Sequence, residues 1–259
     1  MTELITGFIN ALAGCEDISI KQELLNDAVV HITLTKPDSS QTHLLIYPDS
    51  ALRRISYPQS DEKVIHIDEH LLSNDLTKLL ARIQTVLGYG KRIYARQTVA
   101  ARVDKRITRF FLEEHHLQSA MTGKYRYGLF YQGELVSLAV FSGGRRMRDQ
   151  PDDYRSFELI RFCHKSNLIT VGGLSKLIKA FQKDFDPGDL MTYVDRDWTQ
   201  DSSLQKIGFR EEGILAPQIV AVPTLDYGKS DTKLDEPKER ITKTNSGSIK
   251  LVLRFAKTI

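Results

Sequence analysis

The sequence predicts a mixed α/β protein in which a central sheet with flanking helices follows a small α+β domain. Residues 157–209 read as strand, helix, strand and short helix, the spacing of a βαβ unit. A long hairpin, YGLFY and ELVSLAVF joined by Gln132 and Gly133, lies before this unit. Residues 1–88 have helix and strand patterns of their own. We therefore expect two domains, 1–88 and 89–259, with a flexible polar loop at about 225–247.

Composition places the chain among ordinary globular proteins. Of its 259 residues, 41% are hydrophobic and 27% are charged, and the net charge is +3, too small to indicate nucleic-acid binding by itself. No apolar run reaches the roughly 18 residues that a membrane helix needs. Cys15 and Cys163 are far apart and form no CxxC pattern. We therefore predict a reduced, cytoplasmic protein with no metal site and no membrane contact.

The first predicted domain has clear helix and strand patterns but no clear chemical role. LITGFINALAG reads as a helix, AVVHITLT and THLLIYP as a hairpin, and KVIHID as a strand. A helix is predicted from a cap at Ser73 or Asn74 to Gly88. A metal-dependent nuclease needs carboxylates and a Lys at adjacent strand positions, and only Asp68 and Glu69 lie near a strand end. A structural or partner-binding role is therefore the prediction for this domain.

Two basic segments of the second domain suggest contact with an anionic partner. GYGKRIYARQTVAARVDKR combines basic residues with tyrosines, a composition that favours a nucleic-acid backbone or simply a solvated surface. The polar segment RRMRDQPDDYRS includes Arg145 and Arg146 and is predicted to be either a flap over a substrate or an ordinary surface loop. Nucleic acid therefore stays an open possibility as a partner.

The centre of the second domain has a glycine pair between a strand and a helix. FELIRFCH reads as the strand, LSKLIKAFQKDF as the helix and LMTYV as the next, parallel strand. Gly172 and Gly173 stand where the helix begins, where free N–H groups and the helix dipole can hold a pyrophosphate. The alternative is a turn that needs a positive φ and binds nothing.

This order of elements, with the glycine turn and the KIGF segment that follows the last helix, resembles the GNAT superfamily of N-acetyltransferases over residues 92–257. The resemblance implies acetyl-CoA or another acyl-CoA as the acyl donor and an amine as acceptor. The superfamily holds the pyrophosphate at a Q/R-x-x-G-x-G/A motif, and the matching residues here are Thr170, Val171, Gly172, Gly173, Leu174 and Ser175.

The resemblance also implies catalytic roles for particular side chains. Glu158, on the central strand, matches the position of the general base. Leu204 stands where the superfamily often has the Tyr that protonates the leaving thiolate. Tyr193 and Asp195 are the candidate substitutes for that acid.

Several segments, among them KRIYAR, FLEEHHLQ and YVDRDW followed by KIGF, are also similar to a group of phage and mobile-element proteins. In that group a GNAT-like half follows a nuclease-like or DNA-associated half, which implies that residues 1–88 are a degenerate nuclease-like domain. Three functions remain open: an acyltransferase, a non-catalytic interaction module, and a nucleic-acid-associated protein. The last would use Arg145, Arg146, Arg196 and Trp198 to contact phosphates and bases.

Overall fold

The computed structural model describes residues 3–14, 17–26, 28–56, 63–198, 202–223 and 240–255. The chain divides into two compact units. The first contains residues 1–80, 194–200 and 214–248, and the second contains residues 81–193, 201–213 and 249–259. This division differs from the single boundary that the sequence predicts at residue 88, because the chain returns to the first unit twice.

The helices are short and their faces are amphipathic. They are α1 (Glu3–Ala13), α2 (His70–Asn74), α3 (Leu76–Leu87), α4 (Lys105–His115), α5 (Gly173–Phe185) and α6 (Ser202–Gln205), with a 3-10 turn at Ala95–Gln97. Ser73 and Asn74, the predicted caps, lie in α2, and α3 begins separately at Leu76. The helix predicted from Ser73 or Asn74 to Gly88 is therefore two helices.

The strands of the first unit form a four-stranded sheet and a separate hairpin. The sheet has the order β1 (Ser19–Leu25), β2 (Val29–Thr35), β3 (Gln41–Tyr47) and β4 (Lys63–Asp68), with β3 and β4 parallel. The hairpin pairs β13 (Ile219–Pro223) with β14 (Arg240–Thr244). Strand β14 lies inside the predicted loop at 225–247, so that prediction is wrong for residues 240–244. Residues 225–239 of that loop lie outside the described residues.

The second unit is built on a seven-stranded sheet. Its order is β12 (Arg210–Leu215), β15 (Ser248–Arg254), β11 (Asp189–Asp195), β9 (Ser156–His164), β8 (Glu134–Phe141), β7 (Tyr125–Tyr131) and β6 (Val99–Arg102). Two further strands, β5 (Lys91–Tyr94) and β10 (Leu168–Val171), form a parallel pair. The predicted mixed central sheet with flanking helices is confirmed, as are the β7–β8 hairpin and the parallel β9–β11 pair.

Aromatic packing holds α5 against one face of this sheet. Phe181 of α5 is fully buried, and its ring stacks on Phe141 of β8 with 4.1 Å between ring centroids. Phe157 of β9 meets Phe181 edge to face at 5.0 Å. The opposite face of the sheet packs against α4, where Phe111 and Leu112 contact Val140 and its neighbours. Phe141 therefore marks the face of the sheet that packs against α5, and Val140 marks the face that packs against α4.

Among the described residues, no helix is long and apolar enough to cross a membrane.

Candidate active site

The central strands β9 and β11 pair over only part of their length. Their parallel register joins Asp189 to Ser156, Leu190 to Phe157 and Met191 to Glu158, and in the described residues it ends there, although both strands continue. The buried Thr192 hydroxyl donates to the Leu159 carbonyl at 2.9 Å. The Thr192 hydroxyl thus binds the Leu159 carbonyl at the point where the register between β9 and β11 ends. Beyond this point the edge of β9 is not paired with β11.

A β-bulge interrupts β9 immediately after this point. Phe141 of β8 lies opposite Leu159, but Val140 lies opposite Arg161, so Ile160 is an extra residue. Leu159 shares a face with Phe141, on the α5 side, whereas Arg161 shares a face with Val140, on the α4 side. In a regular strand, position 161 would have faced the α5 side together with position 159.

The glycine pair forms the turn into α5, as the sequence predicts. Gly172 has φ +75°, a left-handed conformation that disfavours residues with a Cβ atom, and it is exposed. The first intrahelical bond runs from the Lys176 N–H to the Gly172 carbonyl at 3.1 Å. The N–H groups of Gly173, Leu174 and Ser175 therefore precede the ladder and have no partner within the helix.

The side chains around this turn differ in what they can offer a ligand. Thr170 is 3% exposed, and its hydroxyl accepts a 2.8 Å hydrogen bond from Ser137. Ser137 in turn bonds His164 Nδ1 at 2.7 Å, and burial lowers the pKa of His164 to about 4. These three neutral, buried side chains, joined by hydrogen bonds, fix the end of β10, so Thr170 can reach a ligand only through its backbone. Val171, by contrast, is exposed.

The two predicted catalytic residues that belong to the second unit lie at the end of the paired segment. Glu158 is half-buried, its N–H donates to the Ser142 hydroxyl at 2.9 Å, and its carbonyl accepts from the Ser142 N–H. Tyr193 is 43% exposed, two residues beyond Met191, the register partner of Glu158.

Asp195, the third predicted catalytic residue, belongs to the first unit. Its Oδ1 accepts the Asp197 N–H at 2.9 Å. Burial, followed by the charge of Asp197, raises the pKa of Asp195 to about 6. Its carboxylate therefore has a structural contact, and ionising it at neutral pH opposes folding.

Replacing Asp195 by Asn is expected to stabilise the first unit at pH 7.5 by about 1–3 kcal/mol. The folded-state pKa lies above the unfolded one, so the wild type loses stability as the pH rises from about 4 to about 6, and Asn removes that loss. Urea unfolding at pH 5 and pH 7.5, followed by the fluorescence of Trp198, measures it, because Trp198 is the one Trp in the chain and lies in this unit. Asp38→Asn, at an exposed position, is the control. Equal stability of Asp195→Asn and wild type at pH 7.5 would contradict the expectation.

The residues predicted to contact nucleic acid are not a single described cluster. Arg145 and Arg146 are exposed, and the backbone of Arg145 forms a bridge with Ser156. Arg196 and Trp198 are half-buried in the first unit, where the Arg196 guanidinium donates to the Ser246 carbonyl at 3.2 Å. No structural observation joins the four into one surface.

The first unit contains a buried ionic cluster that the sequence does not reveal. Arg54 binds Asp68 through two hydrogen bonds of 2.7 and 2.8 Å, and it also binds Asp197. The Lys243 ammonium is fully buried, 3.2 Å from Asp68 and 3.8 Å from Asp49. Asp49 comes two residues after β3 and Asp68 is the last residue of the parallel strand β4, but two side-chain cations, Arg54 and Lys243, lie beside these carboxylates. Among the described residues, no group of three acidic, His or Cys side chains could hold a metal ion.

Comparison with known proteins adds only structural matches. No protein-family model matches the chain. No curated protein matches it either.

Several solved structures that are similar to the chain are acetyltransferases. An acetyltransferase of the GNAT family from Streptococcus pneumoniae has 9% identity and a TM-score of 0.37, with 62% of this chain and 100% of that chain covered. A putative acetyltransferase from Salmonella typhimurium, solved with acetyl-CoA, has 12% identity and a TM-score of 0.37, covering 62% and 96%. A ribosomal-protein-alanine N-acetyltransferase from Brucella melitensis has 11% identity and a TM-score of 0.36, covering 61% and 99%. Similarity this weak leaves the function of the chain to be inferred from its own residues.

Proposed function

We propose that the second unit is an acyl-CoA-dependent N-acyltransferase. The observation that carries this proposal is the separation of β9 and β11 after three register pairs, in the same unit as a glycine turn that opens α5. The separation leaves a strand edge with free backbone groups, and the turn offers N–H groups to an anion. A thioester linked to a pyrophosphate has the chemistry that suits both features.

Residues 170–175 are the proposed binding segment for the pyrophosphate. The N–H groups of Gly173, Leu174 and Ser175 would donate to its oxygens, and the positive end of the α5 dipole favours the negative charge. Acyl-CoA, when bound, supplies the acyl group as an activated thioester. The Lys176 ammonium donates to the carbonyls of Ala95 and Thr98, which connects the first turn of α5 to the 3-10 turn at Ala95–Gln97.

Glu158 is the proposed general base and Tyr193 the proposed acid. A protonated amine cannot attack a carbonyl carbon, so Glu158 would remove that proton, directly or through water. The amine nitrogen then bonds to the acyl carbon while the carbon–sulfur bond breaks. The Tyr193 hydroxyl would protonate the leaving sulfur. The nitrogen gives up its second proton as the amide forms, and this proton would return to the Tyr193 oxygen through solvent. Tyr193 is preferred to Asp195 because Tyr193 is exposed, whereas the Asp195 carboxylate is held by the Asp197 N–H.

The edge of β9 supplies candidate donors for the oxyanion that forms during transfer. The Lys165 N–H faces β8, where it binds the Val136 carbonyl at 3.0 Å. Backbone groups alternate in direction along a strand, so the N–H of Phe162 faces away from β8, toward the unpaired edge. A backbone donor fixed in a sheet can stabilise developing charge without reorganising.

The expected result that tests the cofactor site is weaker acetyl-CoA binding by Gly172→Asp than by Gly172→Asn. Both side chains tolerate a left-handed conformation, and the nearest atom to a Cβ there is the Ala95 Cβ at 3.6 Å, so both fit. Only Asp adds a negative charge beside the proposed pyrophosphate. We expect the dissociation constant for Asp, measured by calorimetry, to exceed that for Asn by about tenfold or more.

S-acetylpantetheine, which lacks the pyrophosphate, is the control ligand for this comparison. The difference between the two variants should disappear with it. Equal affinity of the two variants for acetyl-CoA would remove residues 170–175 from the cofactor site. Absence of acetyl-CoA binding by folded wild type would overturn the proposed function.

A further inference from the structure

Arg161 is a cation that the bulge in β9 places on the same face of the sheet as the proposed general base. The Glu158 N–H donates to the Ser142 hydroxyl and the Glu158 carbonyl accepts from the Ser142 N–H. Ser142 lies two residues from Val140, and Arg161 lies opposite Val140. Both side chains therefore lie on the α4 side of β9. Without the extra residue Ile160, Arg161 would point to the α5 side, away from Glu158.

The contacts of Arg161 leave part of its guanidinium unused. Nε donates to the Ser119 carbonyl at 3.2 Å, and Nη1 donates to the Ile160 carbonyl at 2.8 Å. Among the described residues, no carboxylate lies within ion-pairing distance of this side chain, and Nη2 has no hydrogen-bond partner. Ser119, which Arg161 reaches, is exposed, so this guanidinium lies at an accessible edge of the face.

A cation in this position gains by binding an anion. Arg161 is half-buried, and burial lowers its pKa, an effect that the negative charge of Glu158 partly offsets. Carbonyl groups alone compensate the lost hydration of a guanidinium incompletely. The free Nη2 and the remaining Nη1 hydrogen form the fork that recognises a carboxylate or phosphate.

We infer that Arg161 selects an acceptor amine that also carries an anionic oxygen group, a carboxylate or a phosphate. The inference rests on the proposed N-acyltransferase function. In this arrangement Arg161 binds the anionic group of the acceptor while Glu158 receives the proton of its amine. Small amino acids and phosphorylated amino alcohols have this chemistry. A neutral amine lacks the group that Arg161 binds.

The test compares matched amines with wild type, Arg161→Gln and Arg161→Lys. Alanine is compared with alaninamide, and O-phosphoethanolamine with ethanolamine, by following thiol release from acetyl-CoA. Wild type should prefer the anionic member of at least one pair in kcat/KM by about tenfold or more. Arg161→Gln should bring that ratio close to one, and Arg161→Lys should restore part of it, because Lys keeps the charge but not the fork. The loss of kcat/KM in Arg161→Gln should be larger for the anionic amine of that pair than for the neutral one.

The ratio separates selection from a structural role, because a variant that merely loosened the loop at Ser119 would affect both members of a pair alike. Arg109→Gln, which removes an exposed Arg paired with Glu113, is the control for loss of positive charge. Equal rates for anionic and neutral amines in wild type would overturn this inference and leave the acyltransferase proposal standing. Acetyl-CoA binding without transfer to any of the four amines would also overturn the inference alone. Failure to bind acetyl-CoA would overturn both.

Discussion

Replacing Glu158 by Gln is expected to lower kcat for acyl transfer by about 10²–10⁴-fold, the usual contribution of a positioned general base. Gln has the size of Glu and keeps the backbone bonds to Ser142, so the strand should be unchanged. Gln cannot accept the amine proton, so the reaction would depend on the small fraction of acceptor that is already deprotonated. Thiol release from acetyl-CoA at saturating acceptor measures the effect.

The design of this measurement separates proton removal from binding. A weakly basic amine, such as an aniline, is unprotonated at neutral pH, so Glu158→Gln should lose much less activity with it than with an alkyl amine. Acetyl-CoA affinity should be unchanged. Glu134→Gln, at an exposed position on β8, is the control for loss of a carboxylate. A Glu158→Gln variant that retains more than about a tenth of wild-type activity would remove Glu158 as the base.

The sequence was sufficient for elements with a strong local signal. The β7–β8 hairpin is predictable because two β-prone runs, YGLFY and ELVSLAVF, are joined by only two residues, Gln132 and Gly133. In the structure these two residues have φ of 50° and 84°. Helix α5 is predictable because Leu177, Ile178 and Phe181 recur at helical spacing, and all three are buried. The glycine turn is predictable because only a residue such as glycine readily adopts the conformation at Gly172.

Features that depend on pairing between distant segments were not predictable. Strand β10, which the sequence does not predict, forms because Leu168–Val171 pair with Lys91–Tyr94, far away in the sequence. The bulge at Ile160 has no local signature, since it is defined by the register with β8. The alternation of side chains along a regular strand would therefore place Arg161 on the wrong face of the sheet.

The ionic cluster of the first unit shows the same limit at longer range. A search for a carboxylate and a Lys on adjacent positions finds no pair near Asp68, because the Lys comes from β14, far along the chain. Arg54 lies in the segment between β3 and β4, which has no periodicity. Only the folded chain brings Arg54, Asp68, Asp197 and Lys243 together.

Replacing Arg54 by Met is expected to destabilise the first unit by about 3–5 kcal/mol. Arg54, Asp68 and Asp197 are each less than a tenth exposed at the side chain. Removal of the guanidinium would leave two buried carboxylates without their shared cation, although Lys243 stays within ion-pairing distance of Asp68. Urea unfolding monitored by Trp198 fluorescence reports on this unit. The exposed pair of Lys36 and Asp38 gives the control, since Lys36→Gln should cost less than about 1 kcal/mol.

The double variant Arg54→Met with Asp68→Asn distinguishes orphaned charge from lost packing. If the uncompensated carboxylate is the cause, the double variant should be more stable than the sum of the two single effects predicts. The contribution of Asp68 to the stability of the unit depends on pH with a defined sign. Burial alone would raise the pKa of Asp68, but its bonds to Arg54 and Lys243 outweigh burial and hold the pKa below its usual value. The contribution of Asp68 is therefore complete above about pH 5 and is lost as the pH falls through the folded-state pKa. Additive effects of the two substitutions would show that Arg54 stabilises the unit by packing on Tyr47 and not by its charge. The Tyr47 ring centroid lies 4.5 Å from the guanidinium carbon of Arg54.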